Sequence, residues 1–176
     1  ETGPDIQQAS FTPPFDFPIV FSGNFGEIRS NHFHGGLDFK TGGAIGKPVH
    51  ALADGHISRI RVTHGSDMVL DVDYDNGYST INRHLSALWT YSRRVKDLQY
   101  EQESWEVEIT PEPGEYPVKA GQVIALSGNT GYSFGPHLHL DMIESQQEIM
   151  STAAFFYGEG EGQLLATPLP KALILF

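Results

Sequence analysis

Two short histidine motifs are the residues best suited to chemistry in this chain. The first motif, H-G-G-L-D, begins at His34 and ends at Asp38. The second, H-L-H, begins at His137 and ends at His139, much later in the sequence. A catalytic zinc takes three protein ligands and keeps a fourth position open for water. The two motifs together offer three such ligands and one spare imidazole, which predicts the metal site of a hydrolase. The chain has no cysteine, the usual ligand of structural zinc, and this also favours a catalytic site.

The spacing within each motif makes a structural prediction. His137 and His139 are two residues apart, so on a strand both imidazoles project from the same face. His34 and Asp38 are four residues apart and can reach one metal only if the backbone turns between them. We expect Gly35-Gly36 to permit that turn, because glycine adopts backbone conformations that other residues avoid.

Hydrophobic periodicity predicts the elements that carry these motifs. Residues 49–62 are expected to form a hairpin that turns at Gly55, and Asn76-Gly77 is the strongest short-range signal for a second hairpin. The helical spacing of apolar residues over 88–98 predicts one helix, which begins an insertion of residues 88–116. Strand patterns lie at 19–21, 49–62, 68–74, 78–84, 118–126 and 137–143. The pattern predicts a mostly antiparallel β fold with one helix, in which His84 ends a strand.

With these motifs, the chain resembles the lysostaphin/LytM-type zinc metallopeptidases, a peptidoglycan-cleaving family whose hallmark is H-x3-D followed by H-x-H. The resemblance covers about residues 19–143. It includes four further segments in the family's order, which are residues 22–29, 46–55, 83–85 and 120–126. It implies an antiparallel β-sheet or sandwich of the LytM type with one helical insertion.

The resemblance also assigns roles. It implies that His34, Asp38 and His139 bind one Zn2+ per chain, and that His84 and His137 are non-ligand histidines that assist the chemistry. The chain lacks the H-E-x-x-H glutamate, so the base and oxyanion roles fall to these two histidines in either order.

The implied function is hydrolysis of peptide cross-links in bacterial peptidoglycan by metal-activated water. An alternative is a catalytically silent LytM-like module that binds or activates a wall amidase. A plain zinc- or carbohydrate-binding β domain is the third possibility. All five motif positions are filled, which favours the enzyme.

Several neighbouring residues have open interpretations. His32 could also be offered to a metal from a strand, and only the motif spacing and the resemblance favour His34. Arg29 is expected either to contact a substrate carboxylate or to pair with an acid of the chain. Phe134 is expected to line the groove or to anchor its loop. Asn82, which replaces a tyrosine common in the family, is the third expected substrate contact.

Composition restricts the partners. A formal net charge of −11 makes nucleic acid an improbable partner, and no apolar run approaches a membrane span. The 176 residues predict a single domain with an irregular lead (1–17), a catalytic core (18–145) and a C-terminal segment (146–176) of unclear role. The apolar end of that segment is expected to pack on this domain or on a further one. Peptidoglycan peptides as substrate imply an extracytoplasmic location, in the periplasm or cell envelope, with an export signal removed.

Overall fold

The computed structural model of the protein describes residues 10–29, 33–63, 65, 67–144, 147–150 and 164–165. These residues form strands with a single helix, as the periodicity predicts. The elements are β1 Ser10–Phe11, β2 Phe21–Gly23, β3 Leu37–Lys40, β4 Pro48–His50, β5 Gly55–Val62, β6 Met68–Tyr74, β7 Tyr78–Arg83, β8 Leu85–Ala87, α1 Ser92–Glu101, β9 Val107–Ile109, β10 Pro117–Val118, β11 Val123–Ser127, β12 His137–Glu144, β13 Gln147–Met150 and β14 Leu164–Leu165.

The described strands form three antiparallel sheets, of which the smallest is the pair β1-β14. The large sheet has the order β10-β5-β6-β7-β12-β3-β2, with β13 beside β12 and β9 beside β5, and the small sheet has the order β4-β11-β8. The predicted hairpin between β6 and β7 is present, and Gly77 adopts the positive φ, 85°, that its turn requires. The antiparallel β fold with one helix is therefore confirmed for the described residues.

Strand β12 shows how the core positions the functional side chains. Leu138 and Leu140 are fully buried on its core face, while His137 and His139 alternate with them and line a groove on the other face. Burying each leucine stabilises the fold by about 2 kcal/mol. The apolar residues between the histidines therefore hold the strand that presents the imidazoles.

The hairpin predicted over residues 49–62 is wrong. Strand β4 pairs with β11 in the small sheet, whereas β5 pairs with β6 in the large one. Gly55 begins β5 and is not a turn residue, and a Cβ there would collide with the carbonyl oxygen of Asp73. Residue 55 is a glycine because strands β5 and β6 approach each other closely there. Sequence periodicity alone does not distinguish a glycine of this kind from one in a turn.

The insertion contains the predicted helix, which begins later than its apolar stripe. Helix α1 starts at Ser92, and the Ser92 hydroxyl accepts a hydrogen bond from the Leu88 amide at 3.1 Å. Leu88 and Val95 are buried against the core. Within the same insertion β9 returns to the large sheet and pairs with β5.

The described part of the predicted N-terminal lead, residues 10–17, contributes to the hydrophobic core. Phe11 and Phe15 are 4% and 3% exposed and belong to the main hydrophobic cluster. Leu164–Leu165 pairs with β1. Within the predicted C-terminal segment, Gln147–Met150 also forms β13 beside β12, whereas residues 146, 151–163 and 166–176, including the apolar end at 172–176, lie outside the described residues. No helix in the described ranges is long and apolar enough to cross a membrane.

Candidate metal centre and groove

The register of two strands brings the motifs together. Strand β12 pairs antiparallel with β3, so that His139 lies opposite Asp38 and His137 lies opposite Lys40. Side chains that face each other across an antiparallel pair have Cβ atoms about 5 Å apart. His34 reaches the same place from the loop before β3. The H-x3-D and H-x-H motifs therefore meet through strand pairing.

Three potential metal-binding atoms converge at this point. His34 Nε2 lies 3.0 Å from Asp38 Oδ1 and 2.9 Å from His139 Nδ1, and His139 Nδ1 lies 2.9 Å from Asp38 Oδ1. His34 and Asp38 are only 5% and 6% exposed. Among the described residues these three are the cluster of histidine and acidic side chains that could hold a metal ion.

The hydrogen bonds on the far side of each ring set the tautomers. His34 Nδ1 donates to the Asn24 carbonyl oxygen at 2.8 Å, which leaves Nε2 with a lone pair in the neutral ring. His139 Nε2 lies 2.9 Å from Asp141 Oδ1, so a proton on Nε2 leaves the lone pair on Nδ1. Both lone pairs thus meet Asp38 Oδ1 at one point.

This donor set fits a zinc ion. Bonds of about 2.0–2.1 Å to nitrogen and oxygen place tetrahedral ligand atoms about 3.3 Å apart. The observed separations of 2.9–3.0 Å therefore need to expand by only a few tenths of an ångström. Two imidazoles and one carboxylate also match the chemistry of a three-ligand catalytic site.

Charge at the site follows from these contacts. Although burial raises the pKa of Asp38, its close contacts with the imidazoles of His137, His139 and His34 hold that pKa well below its usual range. Burial lowers the pKa of His139, but Asp141 and Asp38 outweigh it and raise that pKa to about 9. The carboxylate is therefore ionised at neutral pH, and a metal must displace a proton from His139 there.

Gly36 of the first motif serves a purpose other than the predicted one. Neither Gly35 nor Gly36 has a positive φ, so the turn does not require glycine conformations. A Cβ on Gly36 would instead lie 2.5 Å from the Leu140 carbonyl oxygen and 2.6 Å from Asp141 Oδ1. Gly36 is needed because the motif passes directly against β12.

His84 stands beside this cluster in a strained backbone conformation. Its ring centroid lies 4.8 Å from that of His137, and its φ is 62°, which is uncommon for a residue with a Cβ. The Asp67 carboxylate accepts the His84 amide hydrogen bond at 3.1 Å, and Nδ1 donates to the Thr130 carbonyl oxygen at 2.9 Å. The backbone thus holds Nδ1 and leaves Nε2 for the groove.

His137 is oriented in a similar way from β12. Its Nδ1 lies 2.8 Å from the Gly135 carbonyl oxygen, and its Nε2 lies 3.4 Å from Asp38 Oδ1. Burial lowers the pKa of His137, but the contacts with Asp38 and Gly135 outweigh it and raise the pKa above its ordinary value. His84 and His137 therefore both present Nε2 beside the three convergent donor atoms.

The three residues expected to contact substrate have different positions. Arg29 lines the groove, but its Nη2 is held by Asp38 Oδ2 and by Glu27, at 2.9 Å each. Phe134 lines the groove and is 91% exposed. Asn82 does not reach the groove, because it faces the core at 2% exposure and donates to the Leu70 carbonyl oxygen. An alternating strand places Asn82 on the face opposite Arg83.

A groove of about 940 Å3 runs past the centre. Tyr132 and Phe134 form an exposed edge-to-face pair on its wall, with ring centroids 5.3 Å apart. Lys40 also lines it, across the strand pair from His137. The groove thus combines apolar surface with charged side chains of both signs.

Sequence reasoning missed three charged residues around the centre. Asp141 follows His139 by two residues and so lies on the same face of β12, a signal that alternation could have supplied. Arg83 lies opposite His139 on β7. Asp67 contacts His84 from a separate loop, which no local pattern marks.

The other histidines stay apart from the centre where they are described. His50 and His56 are half-buried in strands and do not line the groove. His32, the alternative to His34, and His64 lie outside the described residues.

Comparisons with known proteins identify the family of this chain. The chain is 33% identical over 140 residues to an uncharacterised metalloprotease of Haemophilus influenzae, covering 77% of this chain and 23% of that protein. It is 30% identical over 149 residues to peptidoglycan DD-endopeptidase ShyA of Vibrio cholerae, covering 81% and 29%. It matches the catalytic domain of the antimicrobial peptidase lysostaphin from Staphylococcus simulans with a TM-score of 0.56 and 25% identity, over 78% of this chain and 91% of that domain.

The chain belongs to the lysostaphin/LytM-type metallopeptidases. This confirms the family and fold that the sequence motifs predict. The lysostaphin/LytM-type domain spans less than a third of the length of either curated relative. No protein-family model matches the chain.

Proposed function

We propose that this domain is a zinc-dependent endopeptidase that hydrolyses peptide cross-links of bacterial peptidoglycan. The observation that carries the proposal is the convergence of His34 Nε2, Asp38 Oδ1 and His139 Nδ1 within 3.0 Å of one another. The relatives supply the substrate class, because ShyA is named a peptidoglycan DD-endopeptidase.

In this proposal the three convergent atoms bind one zinc ion. The Arg29 guanidinium holds the other oxygen of Asp38 at 2.9 Å, so that Oδ1 is the oxygen directed at the centre. A single carboxylate against a divalent ion leaves the site with a net positive charge. When bound, zinc lowers the pKa of a water molecule towards neutrality and polarises a carbonyl oxygen.

His84 and His137 perform the proton transfers. Amide hydrolysis needs one group to accept the proton of the attacking water and another to protonate the leaving amine. A protonated imidazole can also donate a hydrogen bond to the developing oxyanion. The two rings lie side by side with Nδ1 held by backbone carbonyls, so Nε2 of each is available for these tasks.

The groove is suited to an extended peptide. Tyr132 and Phe134 offer apolar surface on one wall, and Phe134 is our proposed substrate contact. The formal net charge of −11 opposes binding to an anionic wall, so affinity must come from local contacts such as these. A peptidoglycan substrate implies that the protein acts outside the cytoplasm, and we propose the periplasm or cell envelope as its location.

Metal content measured together with wall digestion tests the proposal. The purified protein is loaded with zinc, dialysed and analysed for metal, and then incubated with peptidoglycan while released peptides are measured. An endopeptidase binds one zinc and releases peptides. A metal-binding β domain binds zinc and releases none. A silent module releases none by itself but increases release when a wall amidase is added. The last two results would overturn the proposal.

His56→Ala provides the matched control for the active-site variants. His56 is a half-buried strand histidine outside the groove, so its removal should change neither zinc content nor peptide release. His137→Ala should keep zinc and lose release. Equal activity losses in both variants would show that the activity responds to general destabilisation and would overturn the role of His137.

A further inference from the structure

Asp141 is a buried carboxylate beside the centre that neither metal motif includes. It follows His139 by two residues on β12 and is 7% exposed. Its Oδ1 lies 2.9 Å from His139 Nε2, and its Oδ2 lies 3.5 Å from Arg83 Nε. Asp141 thus contacts an imidazole with one carboxylate oxygen and a guanidinium group with the other.

Two carboxylates compete for the single proton of a neutral His139 ring. Asp38 Oδ1 lies 2.9 Å from Nδ1, and Asp141 Oδ1 lies 2.9 Å from Nε2. A proton on Nδ1 would point into the cluster formed with His34 and would block a cation there. A proton on Nε2 leaves the Nδ1 lone pair directed at the centre. The contact with Asp141 therefore decides whether His139 can act as a ligand.

We infer that Asp141 is a positioning residue for the metal centre, which fixes the Nε2–H tautomer and the ring orientation of His139. The inference rests on the proposed zinc site. Carboxylate partners of this kind orient metal-binding imidazoles and typically contribute 10–100-fold to metal affinity.

Gly36 leaves space for the Asp141 carboxylate, and Arg83 supplies a positive charge beside it. A Cβ on Gly36 would lie 2.6 Å from Asp141 Oδ1, whereas a Cβ on Gly35 would lie at an ordinary 3.5 Å. Arg83, directly opposite His139 on β7, brings a positive charge to the other oxygen. The second glycine of H-G-G-L-D therefore leaves the space that Asp141 occupies.

Asp141→Asn removes the charge at nearly constant shape, and Asp71→Asn is its matched control. Asp71 is equally buried, at 6% exposed, and pairs with Arg59 and Arg61 on the same sheet outside the groove. Zinc dissociation constants are measured by competition with a chromophoric chelator, at an alkaline pH where the measured affinity of each protein no longer changes with pH, so that no proton competes. We expect a 10–100-fold weaker affinity for Asp141→Asn and no change for Asp71→Asn.

A second readout does not depend on zinc. The 15N shifts of the His139 ring in the zinc-free protein, at the same alkaline pH, report which nitrogen carries the proton. Parent protein should show the Nε2–H tautomer, and Asp141→Asn should gain the Nδ1–H form. An Nδ1–H tautomer in the parent, or an unchanged affinity in Asp141→Asn, would overturn the inference. A parent that shows the Nε2–H form but binds no zinc would refute the proposed function and leave the tautomer role intact.

Discussion

Substitution of His84 separates the chemistry of its ring from the strain of its backbone. At a φ of 62° a residue with a Cβ is disfavoured by about 1–2 kcal/mol, whereas glycine adopts this conformation readily. His84→Ala and His84→Gly both lose the ring contact with the Thr130 carbonyl oxygen. The two variants therefore differ in how readily residue 84 adopts this backbone conformation. After allowance for the greater entropy of unfolded glycine, we expect His84→Gly to be more stable than His84→Ala by about 1 kcal/mol.

Thermal unfolding and peptide release measured on the same samples test this prediction. A difference of 1 kcal/mol corresponds to about 2–4 °C in Tm for a domain of this size. Both variants should keep their zinc and lose activity by about 10²-fold or more, because both lack the imidazole. A His84→Ala variant as stable as His84→Gly would refute the strain argument. Parent-level activity in either variant would refute the role of the ring.

Three further predictions concern the centre and its supports. His34→Ala should lose tight zinc binding, measured by elemental analysis after dialysis, because two remaining ligands cannot hold a defined site; full retention of zinc would contradict the ligand assignment. His137→Ala should keep zinc and lose about 10²-fold in peptide release; release at the parent rate would make His137 a bystander. Gly36→Ala should lower the free energy of unfolding by about 1–3 kcal/mol in denaturant titrations, because its Cβ meets the Leu140 carbonyl oxygen, while Gly35→Ala should cost less; equal effects would refute the close-approach argument.

The parts of the structure that sequence could predict are those governed by local periodicity. The alternation around His137 and His139 predicts a strand with its leucines in the core, and the structure has that strand as β12. The Asn76-Gly77 turn likewise predicts the β6–β7 hairpin that ends beside His84. These elements carry most of the candidate site, which is why spacing alone could indicate it.

Contacts between distant segments could not be read from the chain. A glycine between two strand patterns, as at Gly55, is typical of a hairpin turn. The role of Gly55 in the fold depends instead on the β6 backbone that approaches it. The sequence predicts Asn82 as a substrate contact, and only the pairing of β7 with its neighbours shows that its side chain faces the core. The support that Asp67 gives to His84 joins two loops and depends on their tertiary arrangement.

Mass spectrometry of a purified cross-linked muropeptide tests the central claim most directly. The muropeptide is incubated with zinc-free protein, with protein to which one equivalent of zinc has been restored, and with zinc-loaded His137→Ala. The account predicts two products whose masses add up to the substrate plus one water, formed at the full rate only by the zinc-restored parent. An intact muropeptide after incubation with the fully zinc-loaded parent, or equal cleavage by the zinc-free protein, would contradict it.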